Sequence, residues 1–225
     1  FEASLNLGLI RLEMCEYYSA IEAFENAEKL RPNTPQSAYG LGVSYRGLGY
    51  FCKATKFLKA AISKHQSFKE AMMQLASLEL ELGHCEEAQI LYKKLLSEEP
   101  ESTFLKLQLA ETLRQLKHYS SAIEILEGIV NEDSDPLSVK QALAGIYFEA
   151  RKDMQALKYY EDILKDRPND PKILYNSALI LSRNGRNEDA VVALEAAIRS
   201  DPDFDAAIAS LVYQKKINCD WDLVD

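Results

Sequence analysis

The stretch Tyr17-Tyr18-Ser19-Ala20-Ile21-Glu22-Ala23-Phe24-Glu25-Asn26-Ala27 decides the fold, because its small and bulky residues return in phase along the rest of the chain. Ala20 recurs as Ala54, Ala88, Ala122, Ala156 and Ala190, each 34 residues after the last, with no insertion or deletion between copies. Phe24 recurs as Leu58, Tyr92, Leu126, Tyr160 and Leu194, and Ala27 as Ala61, Leu95, Ile129, Ile163 and Ala197. A fixed period of this length marks one supersecondary unit copied in tandem, and it governs every later step of the reading.

Cutting at this period gives six units, 1–34, 35–68, 69–102, 103–136, 137–170 and 171–204, and then 205–225 as a partial seventh unit or capping helix. Within a unit, position 8 is always small (Gly8, Gly42, Ala76, Ala110, Ala144, Ala178), and position 7 is leucine except at Ser177. Leu5, Leu9 and Leu12, then Ala20, Phe24 and Ala27, follow helical spacing. Each unit therefore reads as two amphipathic helices of roughly 14 residues, about 20 Å long. The small residues let paired helices approach, and the bulky residue at position 24 fills the groove between them. The pattern resembles the tetratricopeptide repeat, two antiparallel helices per unit, over essentially the whole chain. The resemblance implies an all-α solenoid, a right-handed superhelix in which each unit touches its neighbours and stability is summed along the stack.

The helix breakers agree with this frame. All seven prolines fall at unit junctions, where a missing N–H is tolerated. Thr34-Pro35, Asp135-Pro136 and Asp170-Pro171 read as an N-cap followed by proline at the first helical position, and Ser67 with Glu70 reads as a capping box. Gly49, Gly83 and Gly185 share position 15, the turn between the helices of a unit, where a left-handed cap is expected. Gly40, Gly42 and Gly47 fall inside a helix instead, which points to close packing and not to a phosphate-binding loop.

Composition excludes several classes of function. A net charge of −9 disfavours nucleic acid, and the basic run Lys53, Lys56, Lys59 and Lys64 reads as the solvated outer face of one helix. Membrane insertion is not expected, since no run approaches the roughly 18–20 apolar residues of a span. The four cysteines, Cys15, Cys52, Cys85 and Cys219, show no paired spacing, so free thiols and a reducing, cytoplasmic setting are expected. His65, His84 and His118 fall in different units, and Asp133 with Asp135 stands where helix caps are needed. Asp220 with Asp222 also mimics a metal-binding pair. Neither a metal site, a cofactor nor catalytic residues are expected. A chain opening at Phe1 and stopping inside a unit reads as a piece of something longer.

What remains is surface. In the family that the repeats resemble, the first helices line the concave side, with positions 2, 5, 6, 9, 12 and 13 facing the ligand. Carried over, position 6 supplies Asn6, Gln74, Gln108 and Asn176, a row of carboxamides suited to an extended peptide backbone, broken at Gly40 and Ala142. Tyr39, Met73, Phe148 and Tyr175 are candidate anchors, and Glu111, Arg114 and Arg183 candidate charged contacts. The alternative is that these residues only solvate or pack the inner wall. Positions 5 and 9 lack the lysine and asparagine with which family members grip chaperone C-termini.

The tail Asn218-Cys219-Asp220-Trp221-Asp222 resembles the segment that follows the last repeat in O-GlcNAc transferase-like glycosyltransferases, and the carboxamide row is similar to that family's asparagine ladder. The resemblance implies a protein-binding scaffold that recruits substrates for a catalytic region beyond Asp225; the alternative is a stand-alone or multidomain adaptor with no linked activity. Apolar residues such as Leu211 and Ile217 at the open end leave a surface for self-association.

Overall fold

The computed structural model describes residues 1–130 and 137–217. First helices of successive repeats are α1 (Glu2–Glu13), α3 (Pro35–Gly47), α5 (Lys69–Glu81), α7 (Thr103–Gln115), α9 (Leu137–Glu149), α11 (Pro171–Arg183) and α13 (Asp205–Ile217). Second helices are α2 (Tyr17–Leu30), α4 (Phe51–Lys64), α6 (Cys85–Glu98), α8 (Tyr119–Glu127), α10 (Asp153–Asp166) and α12 (Asn187–Ser200). They group into two compact units, Phe1–Lys117 with α1–α7 and His118–Asp225 with α8–α13. No strand occurs among the described residues.

The turn inside each repeat is fixed by one residue. Position 15 has positive φ in all six repeats: Cys15 (58°), Gly49 (76°), Gly83 (80°), Lys117 (59°), Arg151 (59°) and Gly185 (75°). The next N–H then reaches back to the carbonyl five residues earlier, as in Glu16 to Arg11 (2.8 Å), Tyr50 to Tyr45 (2.9 Å), His84 to Glu79 (2.8 Å) and Lys152 to Tyr147 (2.9 Å). This is the Schellman closure of a helix end. Glycine was expected there, and three repeats form the same turn without it, at a conformational cost of about 1–2 kcal/mol each.

Caps follow the sequence less closely. The Asp170 carboxylate accepts from the Lys172 and Ile173 N–H groups at 3.1 and 3.2 Å. Thr34 precedes Pro35 as expected, but its hydroxyl meets Ser37 Oγ at 2.6 Å instead of the backbone. The Ser67–Glu70 capping box does not form: the N-cap is Phe68, whose ring packs 5.2 Å from Tyr39. Apolar packing of Phe68 sets the helix start one residue later than the polar signal. Ser102, which the sequence reading passed over, caps α7 by accepting from Leu105 N–H. Asp133 and Asp135 lie outside the described residues. Helix α8 has nine residues where its counterparts have 14, ending before Gly128, a residue that costs a helix about 1 kcal/mol relative to alanine.

The six repeated alanines are all 0% exposed, and the position-24 residues are 2% exposed or less. Phe24 lies between two glycines. A Cβ added to Gly8 would meet its ring at 2.6 Å, and one on Gly40 would come closer still. Gly42 faces Leu58 at 2.8 Å, and Gly47 faces the Tyr17 ring, so the intrahelical glycines serve close packing. Leu7 is 47% exposed while its copies Leu41, Leu75, Leu109 and Leu143 are at most 3% exposed, because no earlier second helix covers α1 among the described residues. Leu9 is exposed too, and its copies Val43, Ser77, Glu111, Gly145 and Leu179 are only half-buried, so position 9 lies off the packed face.

Candidate partner-binding face

In the first compact unit, the position-6 residues Asn6, Gly40, Gln74 and Gln108 stand at equivalent places on α1, α3, α5 and α7. Asn6 is exposed. Gly40 is buried under Phe24, which explains the break in the carboxamide row. Gln74 Oε1 accepts from Arg46 Nη1 at 2.8 Å, and Gln108 Oε1 accepts from the Tyr92 hydroxyl at 3.4 Å. Both glutamines are half-buried, with their oxygens turned to groups of the preceding repeat. Burial pushes the Tyr92 hydroxyl up to about 12.

Arg46 was missed by the sequence reading, although it stands at position 12, the place that supplied Arg114. Its guanidinium also donates to Ser77 Oγ at 3.0 Å and pairs with Glu81. One arginine thus bridges α3 to three positions of α5. On α7, Arg114 binds Glu111 through two nitrogens at 2.8 and 2.7 Å, and Gln115 adds a contact at 3.1 Å. The hydrogen bond from Arg114, opposed by burial, holds the Glu111 carboxyl below its ordinary value. Tyr39 packs on Phe68, and burial, with Glu70 nearby, raises its hydroxyl pKa; Met73 is half-buried.

In the second compact unit, burial pushes the Tyr160 hydroxyl up to about 12, with the Asn176 amide of α11 pulling against it. Tyr175 packs 5.1 Å from Phe204, as Tyr39 does on Phe68 four repeats earlier. Arg183 pairs with Asp153 and lies 4.9 Å over the Phe148 ring, joining three consecutive elements of the stack. Ala142 leaves position 6 of α9 without a polar group.

Other candidates resolve simply. Among the described residues no group of histidine, cysteine and carboxylate side chains could hold a metal. Cys15 and Cys52 are exposed free thiols and Cys85 is buried, donating to Gln115 at 3.3 Å. Cys219 and Trp221 lie outside the described residues. The basic face of α4 is not uniformly solvated: Lys59 and Lys64 pair with Glu79 and Glu28 at 3.0 and 3.3 Å. No helix among the described residues is long and apolar enough to cross a membrane.

A family model described as Tetratricopeptide repeat matches residues 80–146 and 154–214, together more than half of the chain. The chain belongs to this family. The tetratricopeptide match begins at the third repeat, yet α1 to α4 keep the same register. Human protein O-mannosyl-transferase TMTC1 is 26% identical over 72% of this chain, which spans 19% of that protein. The general transcriptional corepressor ssn6 of Schizosaccharomyces pombe is 27% identical over 83% of the chain, covering 15% of that protein. A tetratricopeptide repeat protein from Parabacteroides merdae superposes with a TM-score of 0.79 at 19% identity, covering 97% of this chain and 87% of that one. YrrB, a TPR protein with an unusual peptide-binding site, superposes at 0.68 with 18% identity, covering 84% and 98%. These structural likenesses show the fold. As a tetratricopeptide array, the chain is a protein-interaction scaffold.

Proposed function

We propose that the first-helix face holds extended segments of partner proteins, with Gln74 and Gln108 as donors to peptide carbonyls. The observation that carries this is the direction of the two amides. Each Oε1 accepts from a group of the preceding repeat, which assigns the oxygen inward and leaves Nε2 as the outward donor. A donor held this way loses little further freedom on binding, so it recognises backbone shape more than side-chain identity. Asn6 on α1 and Asn176 on α11 add further carboxamides, and Tyr39, Met73, Tyr175 and Phe148 supply the apolar contacts.

The test uses an array of immobilised unstructured peptides. Gln74→Glu with Gln108→Glu keeps shape and the inward oxygens but removes both donors, and capture is expected to fall with helical content unchanged. Undiminished capture by that variant and by the fourfold alanine variant of Asn6, Gln74, Gln108 and Asn176 overturns the proposal.

For the whole protein, the reading we favour is a substrate-recruiting arm of a protein glycosyltransferase, with an O-GlcNAc transferase-like enzyme as the specific form. The likeness to an O-mannosyl-transferase supports the broader class. The likeness to a corepressor, at similar identity over more of the chain, supports an adaptor without linked catalysis as the second reading. A catalytic domain encoded after Asp225 supports the first; further repeats or a stop codon support the second.

A further inference from the structure

Gln74 on α5 and Gln108 on α7 stand at the same position of consecutive repeats, so their side chains leave equivalent helices at equivalent places. First helices of this stack are direct neighbours: Arg46 on α3 reaches Gln74, Ser77 and Glu81 on α5. Packed helices lie about 8–10 Å apart, and that distance sets the spacing of the two amides. Each Oε1 accepts from a group of the preceding repeat, Arg46 or Tyr92, and each Nε2 is the donor that remains. The pair thus offers two N–H groups at a fixed interval and keeps its oxygens for the fold.

Two parallel donors at that interval select a backbone conformation. They need carbonyls that point the same way and lie about 8–10 Å apart. In a β-strand the carbonyls alternate sides, so same-facing ones are about 6.7 Å apart at two residues and about 13 Å apart at four. Neither fits. A polyproline II helix turns once in three residues and rises about 3.1 Å per residue, so its same-facing carbonyls recur about every 9.3 Å. In an α-helix the carbonyls are already bonded along the axis. Nor does a face that donates without accepting have any use for a partner's N–H groups, so prolines, which lack them, lose nothing there.

The surrounding side chains agree. Phe104, one turn before Gln108 on the same helix face, is 54% exposed and gives a proline ring an apolar platform. Arg46 and Arg114 are neutralised by Glu81 and Glu111, which suits an uncharged segment. Resting on the docking reading above, we propose that the segment held between Gln74 and Gln108 is a proline-rich stretch in the polyproline II conformation, gripped by one backbone carbonyl in every three. Such a segment is already ordered before it binds, so it loses little freedom on docking.

The test is an NMR titration of the whole chain with N-acetyl-nonaproline amide and with a Gly-Ser nonamer blocked in the same way, following the side-chain amide groups of Gln74 and Gln108. The proline peptide is expected to shift both groups and to bind about tenfold more tightly, since the Gly-Ser chain must first be ordered. Gln74→Glu and Gln108→Glu keep the inward oxygens and should each weaken the proline peptide about three- to tenfold, the range of one net hydrogen bond, with the losses multiplying in the double variant. Equal binding of the two nonamers, or a proline complex indifferent to either glutamine variant, overturns the proposal. If immobilised unstructured peptides are still captured through the two glutamines while nonaproline is not bound, the conformational assignment alone falls; if capture too is independent of them, the docking reading falls with it.

Discussion

Tyr92 donates its hydroxyl hydrogen to Gln108 Oε1 across 3.4 Å, tying the second helix of one repeat to the first helix of the next. Sixteen residues separate them, and the same interval joins Tyr160 to Asn176 and Phe24 to Gly40. The residue at position 24 is matched to position 6 of the following repeat: a phenol meets a carboxamide, and a plain phenyl ring meets the absence of a side chain. The carboxamide row is thus partly structural, since a buried hydroxyl needs a partner.

Removing one member of that pair should cost more than removing both in proportion. Gln108→Ala leaves the Tyr92 hydroxyl unsatisfied and is expected to destabilise by about 1–3 kcal/mol, while Tyr92→Phe should cost about 0.5–1.5 kcal/mol. Urea unfolding of the two single variants and the double variant should show a coupling of about 1 kcal/mol. Strict additivity would mean that the contact contributes nothing.

Two glycine-to-alanine changes should have opposite signs. A Cβ at Gly40 meets the Phe24 ring, so Gly40→Ala is expected to destabilise by about 1–3 kcal/mol through overpacking. Gly145, within α9, has open space around its missing Cβ, so Gly145→Ala should stabilise by about 0.5–1 kcal/mol. Thermal melts followed by circular dichroism check both, and Phe24→Leu should relieve part of the Gly40→Ala penalty.

The turn at position 15 predicts its own reversal. Lys117→Gly and Arg151→Gly remove a strained left-handed residue and should each stabilise by about 1 kcal/mol, whereas Gly83→Ala should lose about as much. Chemical denaturation of the three variants decides the point.

Stability should fall at both ends of the pH range. Tyr92 and Tyr160 have folded-state values raised to about 12, so their contribution is whole below the unfolded value near 10 and is lost as pH rises toward 12. At Glu79, burial pulls the carboxyl up, but the bonds from His84 and Lys59 together hold it below its ordinary value. Its contribution is therefore present above the ordinary carboxylate range and lost as pH falls through the lowered folded value. Urea midpoints across pH, with tyrosinate absorbance on the alkaline side, measure each limb. Tyr92→Phe should flatten the alkaline limb, and Glu79→Gln the acid one.

The helix frame was legible because it is periodic. Ala20, Phe24 and their copies repeat often enough that chance is excluded, and position 15 gave the turn even where Lys117 and Arg151 replace glycine. The partner face was legible as a set of positions but not as a set of bonds. Arg46 looked like any surface arginine until α5 placed Gln74, Ser77 and Glu81 around it. Ser67 failed as a cap because Phe68 had an aromatic partner in Tyr39 that a local reading does not include.

By itself the sequence determined the unit, its two helices and the small-against-bulky packing, since these depend on residues a fixed distance apart along one chain. Only the tertiary structure decided which glutamine oxygens face inward, why Gly40 interrupts their row and how the buried Glu79 carboxylate is held between Lys59 and His84. Those depend on side chains from neighbouring repeats meeting in space, where a difference of one hydroxyl or one ring changes the hydrogen bonding without disturbing the period.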